Sequence, residues 1–183
     1  MGKYSSMPRR ARDFYATPAK ATLPLLPHLK TNTKFSEPCC GDLALVRHLE
    51  RAGHKCYFAS DIENRCTPET VAGEWVHTTA LEIDALRVTT PLSQADCVIT
   101  NPPFSKEILF PLIEHFRKYN QTWLLLPADF AHNVGSAPYL EYCSKIVSIG
   151  RIKWIPDSKH TGKENYSWYC FEMKKCKTVF FSR

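Results

Sequence analysis

The sequence predicts an α/β fold, a doubly wound and mostly parallel sheet, and two observations lead to this expectation. From residue 35 onward, short apolar runs alternate with amphipathic stretches, and the runs end in turn-forming or acidic residues. Such runs are typical of strands, and their regular alternation with helices favours a parallel sheet covered on both faces. At 183 residues and 44% hydrophobic content, the chain can bury one substantial core, so we expect a single domain.

The first predicted strand ends in KFSEPCCGD, residues 34–42, and a helix follows it. Leu43, Val46 and Leu49 have helical spacing, and Gly53 is a suitable C-terminal stop. The remaining apolar runs predict further strands in HKCYFASD, HTTALEIDAL, ADCVIT, TWLLLP, SKIVSIGRIKW and WYCFEMKK.

A second long helix is predicted in SKEILFPLIEHFRKY, residues 105–119. Its apolar residues fall on one side at helical spacing, and Ser105 is a suitable N-cap. Pro111 has no backbone N–H, so we expect it to kink this helix or to lie in its first turn.

Unusual polar residues follow four of the predicted strands: Glu37, Asp61, Asp84 and Asn101. The carboxyl ends of parallel strands meet at one edge of a sheet, and ligands bind there in doubly wound folds. We therefore expect these side chains to converge on one site.

The turn in EPCCGD allows backbone amides to face a ligand, because Gly41 permits a close approach. Asp61, twenty positions further on, is suited to accept hydrogen bonds from the hydroxyls of a ribose. Asp84 can accept one from an adenine amino group. Each acid taken alone is more often a helix cap or a solvated loop residue. Together they favour an adenosine-containing ligand, and the lack of GxGxxG disfavours a dinucleotide.

The segment TNPPF leaves a strand through a stiff, exposed turn, because its two prolines donate no backbone hydrogen bonds. The side-chain carbonyl of Asn101, with the main-chain carbonyl of Pro102, can accept both hydrogens of an exocyclic amino group. Phe104 offers a flat ring for a nucleobase to stack on. The turn therefore predicts a site that holds a planar amine.

Charge and cysteine content narrow the class of protein. The formal net charge is +6, with five Lys/Arg against one acid in residues 1–20 and eight against three in residues 151–183. This distribution is compatible with a polyanionic partner and equally with a solvated tail, and charge alone does not decide between them. The eight cysteines form no CxxC pair, so we expect free thiols and no metal. No apolar run reaches the ~18 residues of a membrane span and the start does not resemble a signal peptide, so a soluble, intracellular protein is expected.

DFYATP, EPCCGD, ASDIE, IDAL, TNPPF and LLLPADF together resemble the class I S-adenosylmethionine-dependent amino-methyltransferases. The chain is most similar to the small phage-type DNA adenine (N6) methyltransferases, over most of its length. The resemblance implies a Rossmann-like fold, S-adenosylmethionine as cofactor, and catalysis by Asn101, Pro102, Pro103 and Phe104. It also implies a cofactor site formed by Tyr15, Thr17, Pro18, Glu37, Pro38, Cys39, Gly41, Asp42, Asp61, Ile62, Asp84, Ala85 and Asn101.

Two departures from the family are visible. Its first motif usually closes with a second glycine where this chain has Leu43, and the chain has no room for a separate target-recognition domain. We expect a basic segment at residues 1–20 that leads into the cofactor motif, and a methyltransferase domain at residues 21–183.

Residues 153–168 resemble the C-terminal segment of the phage enzymes and predict a substrate-facing loop. Basic and aromatic side chains there can meet phosphates and stack on an extruded base. Trp154 and Trp168 are equally compatible with the core of a closing hairpin. The predicted substrate-binding residues are Lys153, Trp154, Lys159, Lys163, Tyr166 and Trp168.

The expected reaction is transfer of a methyl group from S-adenosylmethionine to the exocyclic amino group of adenine in DNA, without a covalent enzyme intermediate. Cys39 and Cys40 belong to the cofactor loop and are poor nucleophile candidates. The same chemistry on a cytosine amine, RNA adenine or a protein glutamine amide stays open, as does an inactive nucleic-acid-binding module. The expected location is the cytoplasm, that of a bacterial host if the protein is phage-encoded.

Overall fold

The computed structural model describes residues 15–63, 65–66, 80–155 and 161–183, and all structural statements below concern these residues. Their strands are β1 (Lys34–Glu37), β2 (Lys55–Asp61), β3 (Leu81–Glu82), β4 (Cys97–Thr100), β5 (Thr122–Pro127), β6 (Cys143–Arg151), β7 (Asn165–Phe171) and β8 (Val179–Phe181). The helices are α1 (Ala19–Thr22), α2 (Ala44–Arg51), α3 (Thr90–Gln94), α4 (Lys106–Tyr119) and α5 (Ala137–Leu140). Short 3-10 helices occupy Leu26–His28, Ala85–Arg87, Ala128–His132 and Val134–Ser136.

The strands form one eight-stranded sheet in the order β3-β2-β1-β4-β5-β7-β6-β8. All neighbouring strands are parallel except β7, which runs antiparallel to both β5 and β6. The predicted doubly wound, mostly parallel sheet in a single domain is therefore confirmed. The carboxyl ends of β1, β2, β4 and β5 lie along one edge of this sheet.

The sheet is buried on both faces, and alternate residues of β5 contribute to two separate apolar clusters. Trp123 and Leu125 pack with the residues of α2, whereas Leu124 and Leu126 pack with those of α4. Side chains of a strand alternate between faces, so an uninterrupted apolar run such as TWLLL is expected where helices cover both sides.

Helix α2 follows the predicted pattern, with buried Leu45, Val46 and Leu49 on its inner side. Gly53 lies just beyond the helix with φ of 90°, a conformation that glycine adopts without strain. The predicted C-terminal stop is therefore confirmed.

Several elements differ from the sequence-based expectation. Helix α4 begins at Lys106, no side-chain hydrogen bond from Ser105 caps it, and Pro111 lies inside the helix beyond its first turn. Pro111 is exposed to solvent, so water can bond the helix carbonyl that its missing N–H leaves without a donor. Strand β8 was not expected. Residues 1–14 of the predicted basic segment lie outside the described residues.

None of the eight cysteines forms a disulfide. Among the residues that the structure describes, no group of His, Cys, Asp and Glu side chains is arranged to hold a metal ion. The same part of the chain contains no helix of the length and apolar character needed to cross a membrane.

Candidate active site

A cavity of about 490 Å³ opens at the carboxyl ends of β1, β2 and β4. The strand order explains its position, because β1 lies between β2 and β4 and their three following loops meet there. Of the predicted site residues, the cavity is lined by Tyr15, Thr17, Glu37, Pro38, Cys39, Gly41, Asp42, Asp61, Ile62, Asp84, Ala85, Asn101 and Pro103. Pro18 does not line it and instead precedes α1.

The loop after β1 is held against the end of β2 by two backbone donors. The N–H of Cys40 donates to the carbonyl of Ser60 at 2.9 Å, and the N–H of Gly41 donates to Oδ2 of Asp61 at 2.9 Å. Gly41 has φ of 54°, which favours glycine, and this conformation turns the loop along the cavity wall. Asp42, the residue before the N-cap, accepts a hydrogen bond from the N–H of Ala44 at 3.0 Å and so satisfies the first backbone donor of α2.

Leu43 stands at the position where the amino-methyltransferases that the sequence resembles usually have a second glycine. Its backbone adopts the left-handed conformation that glycine favours. Its φ is 65° and its ψ is 16°, at the N-cap position of α2. The side chain is only 2% exposed and belongs to the apolar cluster on that face of the sheet. Burial of a leucine side chain is worth about 1.5–3 kcal/mol, which offsets the ~1–2 kcal/mol of left-handed strain.

Glu37 ends β1 as a carboxyl group buried at the bottom of the site. It is 1% exposed, and its Oε2 atom has no hydrogen-bond partner within the described part of the chain. Burial, with the neighbouring charges of Asp42 and Asp61, raises the pKa of Glu37 well above its usual range. A hydrogen bond from the backbone of Val46 and the charge of Arg47 oppose this shift. The carboxyl therefore keeps its proton to higher pH than an exposed one, and its Oε2 atom is available for a hydrogen bond with a ligand group.

Asp61 and Asp84 both line the cavity and both also serve local structure. Oδ1 of Asp61 accepts from the N–H of Glu63 at 3.2 Å, and Oδ1 of Asp84 accepts from the N–H of Leu86 at 3.0 Å. Asp84 is thus the N-cap of the 3-10 helix Ala85–Arg87. A carboxylate oxygen can accept more than one hydrogen bond, so these roles leave acceptor capacity at both residues for a ligand.

Asn101 follows β4, and its side-chain amide is oriented by the segment that precedes α1. Nδ2 donates to Oγ1 of Thr17 at 3.2 Å and approaches the carbonyl of Tyr15 at 3.5 Å. Oδ1 is buried and has no partner among the described residues. Because the amide nitrogen is engaged, the oxygen is the atom left to accept a hydrogen bond from a ligand.

Aromatic rings surround this turn. The ring of Phe104 lies 6.1 Å from that of Tyr166, which in turn makes an edge-to-face contact at 5.0 Å with Trp154. Trp154 also lies 6.0 Å from Tyr15, next to Asn101. These four residues form what we call the aromatic group.

Trp168 is not part of the aromatic group. It is fully buried, and its indole N–H donates to the carbonyl of Ala21 at 2.8 Å. Its ring is inaccessible to a substrate, which corrects the predicted substrate-binding role in favour of the core position.

Two of the three basic residues predicted to face a substrate lie just after β6 or just before β7. Lys153 and Lys163 are exposed, whereas Lys159 falls outside the described residues. Arg151 is exposed at the end of β6, and the guanidinium of Arg183 approaches the neighbouring Gly150. Strand β6 runs in the same direction as β5, so these cations lie at the sheet edge that carries the cavity.

The two cysteines of the cofactor loop are unsuited to nucleophilic attack. Burial is the main cause that raises the pKa of both Cys39 and Cys40, with further contributions from Glu37 and Asp61. The thiolate is the nucleophilic form of a thiol, so burial, reinforced by the nearby carboxylates, keeps both sulfurs unreactive.

Sequence reasoning missed several residues that line the cavity: Ala16, Cys40, Ala44, Leu45, Arg65, Leu86, Ser105, Ile108 and Leu112. Ile108 and Leu112 were assigned to the apolar side of a helix, and that periodicity carries no sign that one end of the side faces a cavity. Arg65 follows a strand end in the sequence, which is the signal that points to it.

No protein-family model and no curated protein sequence matches the chain. Similar solved structures include one described as a class I S-adenosylmethionine-dependent methyltransferase from Listeria monocytogenes, with TM-score 0.64 and 14% identity over 94% of this chain and 67% of that one. Another is described as an RNA methyltransferase from Pyrococcus horikoshii, with TM-score 0.60 and 16% identity over 87% and 86%. The chain has the class I methyltransferase fold.

A third similar structure is a type I restriction-modification system methyltransferase subunit from Streptococcus thermophilus. Its TM-score is 0.55 at 10% identity, and the match covers 92% of this chain but 47% of that subunit. The class I methyltransferase fold accounts for the antiparallel β7 and for a cavity at the carboxyl ends of the first strands. At these identities the likeness establishes the fold, and the chemistry has to be argued from the site.

Proposed function

We propose that the protein transfers a methyl group from S-adenosylmethionine to the exocyclic amino group of adenine in DNA. The observation that carries this proposal is the unpartnered, buried Oδ1 of Asn101. It follows a strand of the class I methyltransferase fold, its amide is oriented by Thr17, and the aromatic group lies beside it. An acceptor held among rings suits a planar amine.

The cavity supports S-adenosylmethionine as the cofactor. Its volume of about 490 Å³ lies in the usual range for small-molecule sites, and acidic groups line it. Asp61 would accept hydrogen bonds from the ribose and Asp84 from the adenine amino group. The unpartnered Oε2 of Glu37 is available for a hydrogen bond with the cofactor. When bound, S-adenosylmethionine supplies an electrophilic methyl group.

The residues of the NPPF turn would act on the target amine. Oδ1 of Asn101 and the carbonyl of Pro102 accept its two hydrogens and hold the nitrogen in place. These acceptors favour a nitrogen whose lone pair has left conjugation with the ring, and this stabilises the transition state more than the ground state. Pro103 keeps the turn stiff, and Phe104 supports the base by stacking. No thiolate is needed, in agreement with the raised pKa of Cys39.

A nucleic acid is favoured over a protein by the surroundings of the cavity. The exposed Lys153 and Lys163, together with Arg151 and Arg183, form a basic rim at the same sheet edge. A phosphate backbone is attracted to such a rim, whereas a glutamine side chain has no ring for the aromatic group to hold. The type I methyltransferase subunit among the similar structures supports DNA as the nucleic acid.

An inactive binding module is disfavoured by the conformation of the cofactor loop. The missing second glycine was the reason to consider it, but Leu43 adopts the same left-handed backbone and turns its side chain into the core. The loop keeps its cavity-facing shape with leucine at this position.

The test is to incubate the protein with S-adenosylmethionine carrying a tritiated methyl group and unmethylated DNA, then to digest the DNA and identify the labelled nucleoside by mass. We expect N6-methyladenine, and none with Asn101→Ala. Methylcytosine would keep the mechanism and change the base, whereas label only in RNA or protein would overturn DNA as the substrate. If no substrate is labelled although the DNA is bound, the inactive module is the correct description.

A further inference from the structure

The loop after β5 carries an apolar side chain at its tip. We call residues 132–135 the tip segment, and its central side chain, Val134, is 92% exposed. This is the largest exposed fraction of any large apolar side chain in the described part of the chain. The neighbouring His132 and Asn133 are exposed as well.

The tip segment is held by anchors on both sides. Before it, Phe130 is buried and makes an edge-to-face contact with Tyr169 at 5.3 Å. After it, Ser136 is buried, and its N–H donates to the carbonyl of Asn133 at 3.0 Å. A short segment with both ends packed in this way presents its apolar tip in a defined direction.

The tip segment lies against the start of α4, the helix that follows the NPPF turn. A β-carbon built on Gly135 would be 3.8 Å from Nζ of Lys106 and 3.8 Å from the ring of Phe110. Lys106 is the first residue of α4 and directly follows Ser105, which lines the cavity. The tip therefore stands beside the first turns of α4, at the sheet edge that carries the cavity, and the nearby Lys106 is also exposed to solvent.

A base inside a duplex cannot reach the acceptor of Asn101, because Oδ1 is buried below the surface. The target nucleotide has to leave the base stack, and apolar side chains inserted between base steps commonly support such a distortion. An exposed, anchored valine next to a lysine can make two contacts with an opened duplex. The valine contacts the bases and the lysine contacts a phosphate.

We propose that Val134 enters the base stack of duplex DNA where the target adenine is extruded, with Lys106 contacting the adjacent phosphate. This inference rests on the proposed function and adds a positioning residue to it. Val134 stabilises the opened duplex and does not touch the reacting atoms. Its contribution is therefore needed for duplex DNA and not for a single strand, whose bases are already unstacked.

The test compares tritium incorporation from labelled S-adenosylmethionine into native and heat-denatured DNA from the same unmethylated plasmid. We expect Val134→Ser to lower the initial rate on duplex DNA by about tenfold and to leave the rate on denatured DNA unchanged. Val134→Leu keeps an apolar tip and should retain duplex activity. Val179→Ser is the matched control, because Val179 is 53% exposed on β8, away from the mouth, and should change neither rate.

Each outcome decides the proposal. A loss confined to duplex DNA, absent in Val134→Leu and Val179→Ser, supports it. An equal loss on both substrates, or no loss, overturns the role of Val134 while the proposed function stands. If the unaltered protein labels neither form of DNA, the proposed function fails first and the role of Val134 fails with it.

Discussion

Replacement of Asn101 by alanine tests the central claim about the site. The side chain lines the cavity, so the change removes the acceptor without disturbing a core residue. Removal of one preorganised hydrogen-bonding group from a transition-state site lowers kcat by about 100- to 1,000-fold. The cofactor acids are untouched, so we expect the Kd for S-adenosylmethionine, measured by calorimetry, to change by less than about threefold.

Thr17 provides a second perturbation of the same acceptor. Thr17→Val keeps the shape of the side chain but removes the oxygen that accepts from Nδ2 of Asn101 at 3.2 Å. The remaining approach to the carbonyl of Tyr15, at 3.5 Å, is at the limit of a hydrogen bond. Loss of this orienting hydrogen bond, worth about 0.5–1.5 kcal/mol, should lower kcat by about 2- to 10-fold.

The two changes form a double-mutant cycle. If Thr17 acts by orienting Asn101, Thr17→Val should have no further effect on kcat in the Asn101→Ala background. The assay is single-turnover methyl transfer to unmethylated DNA at saturating cofactor. Full additivity of the two effects would refute the orienting role, and an Asn101→Ala variant as active as the unaltered protein would refute the acceptor role.

Three further outcomes are expected. Leu43→Gly relieves left-handed strain of about 1–2 kcal/mol but removes a buried leucine side chain, which costs about 2–5 kcal/mol. The Tm should therefore fall by roughly 5 °C in a scanning experiment. A rise in Tm would show that the strain outweighs the burial. Glu37 has a raised pKa, so the folded protein holds its proton to higher pH than the unfolded chain, and its contribution to stability falls as pH rises from about 4.5 through the folded pKa. Without cofactor, the Tm of the Glu37→Gln variant should therefore fall by less between pH 4.5 and 8 than the Tm of the unaltered protein. Parallel curves of Tm against pH would contradict the raised pKa of Glu37. Trp154→Ala should raise the KM for DNA at least about fivefold, whereas Trp154→Phe retains stacking and a near-normal KM; equal KM values in all three proteins would remove Trp154 from the substrate site.

Much of the sheet was predictable because its strands carry strong local signals. β1, β2, β4 and β5 are apolar runs that end in polar or turn-forming residues, and all four were expected within a few residues of their observed bounds. β8 was missed because VFF is short and stands among lysines, so that no local pattern marks it. It is a strand because it pairs with β6 in register from Lys145 to Val147.

The candidate site divides in the same way. Glu37, Asp61, Asp84 and Asn101 follow strands in the sequence, and that position alone predicts that they converge. The aromatic group was predicted only in part, since Trp154 meets Tyr15 across a separation of more than a hundred residues. Trp154 and Trp168 look alike in the sequence, and only the packing of Trp168 under Ala21 separates them.

By itself the sequence determined the alternation of strand and helix, the chemistry available at each strand end and the basic character of both termini. These depend on residue type and spacing, which are local properties of the chain. The tertiary structure alone decided that the amide of Asn101 is oriented by Thr17, that Leu43 takes the conformation of a glycine, and that the segment around Val134 lies against the start of α4. Each of these depends on contacts between segments far apart in the chain, and such contacts exist only once the sheet has formed and both of its faces are covered.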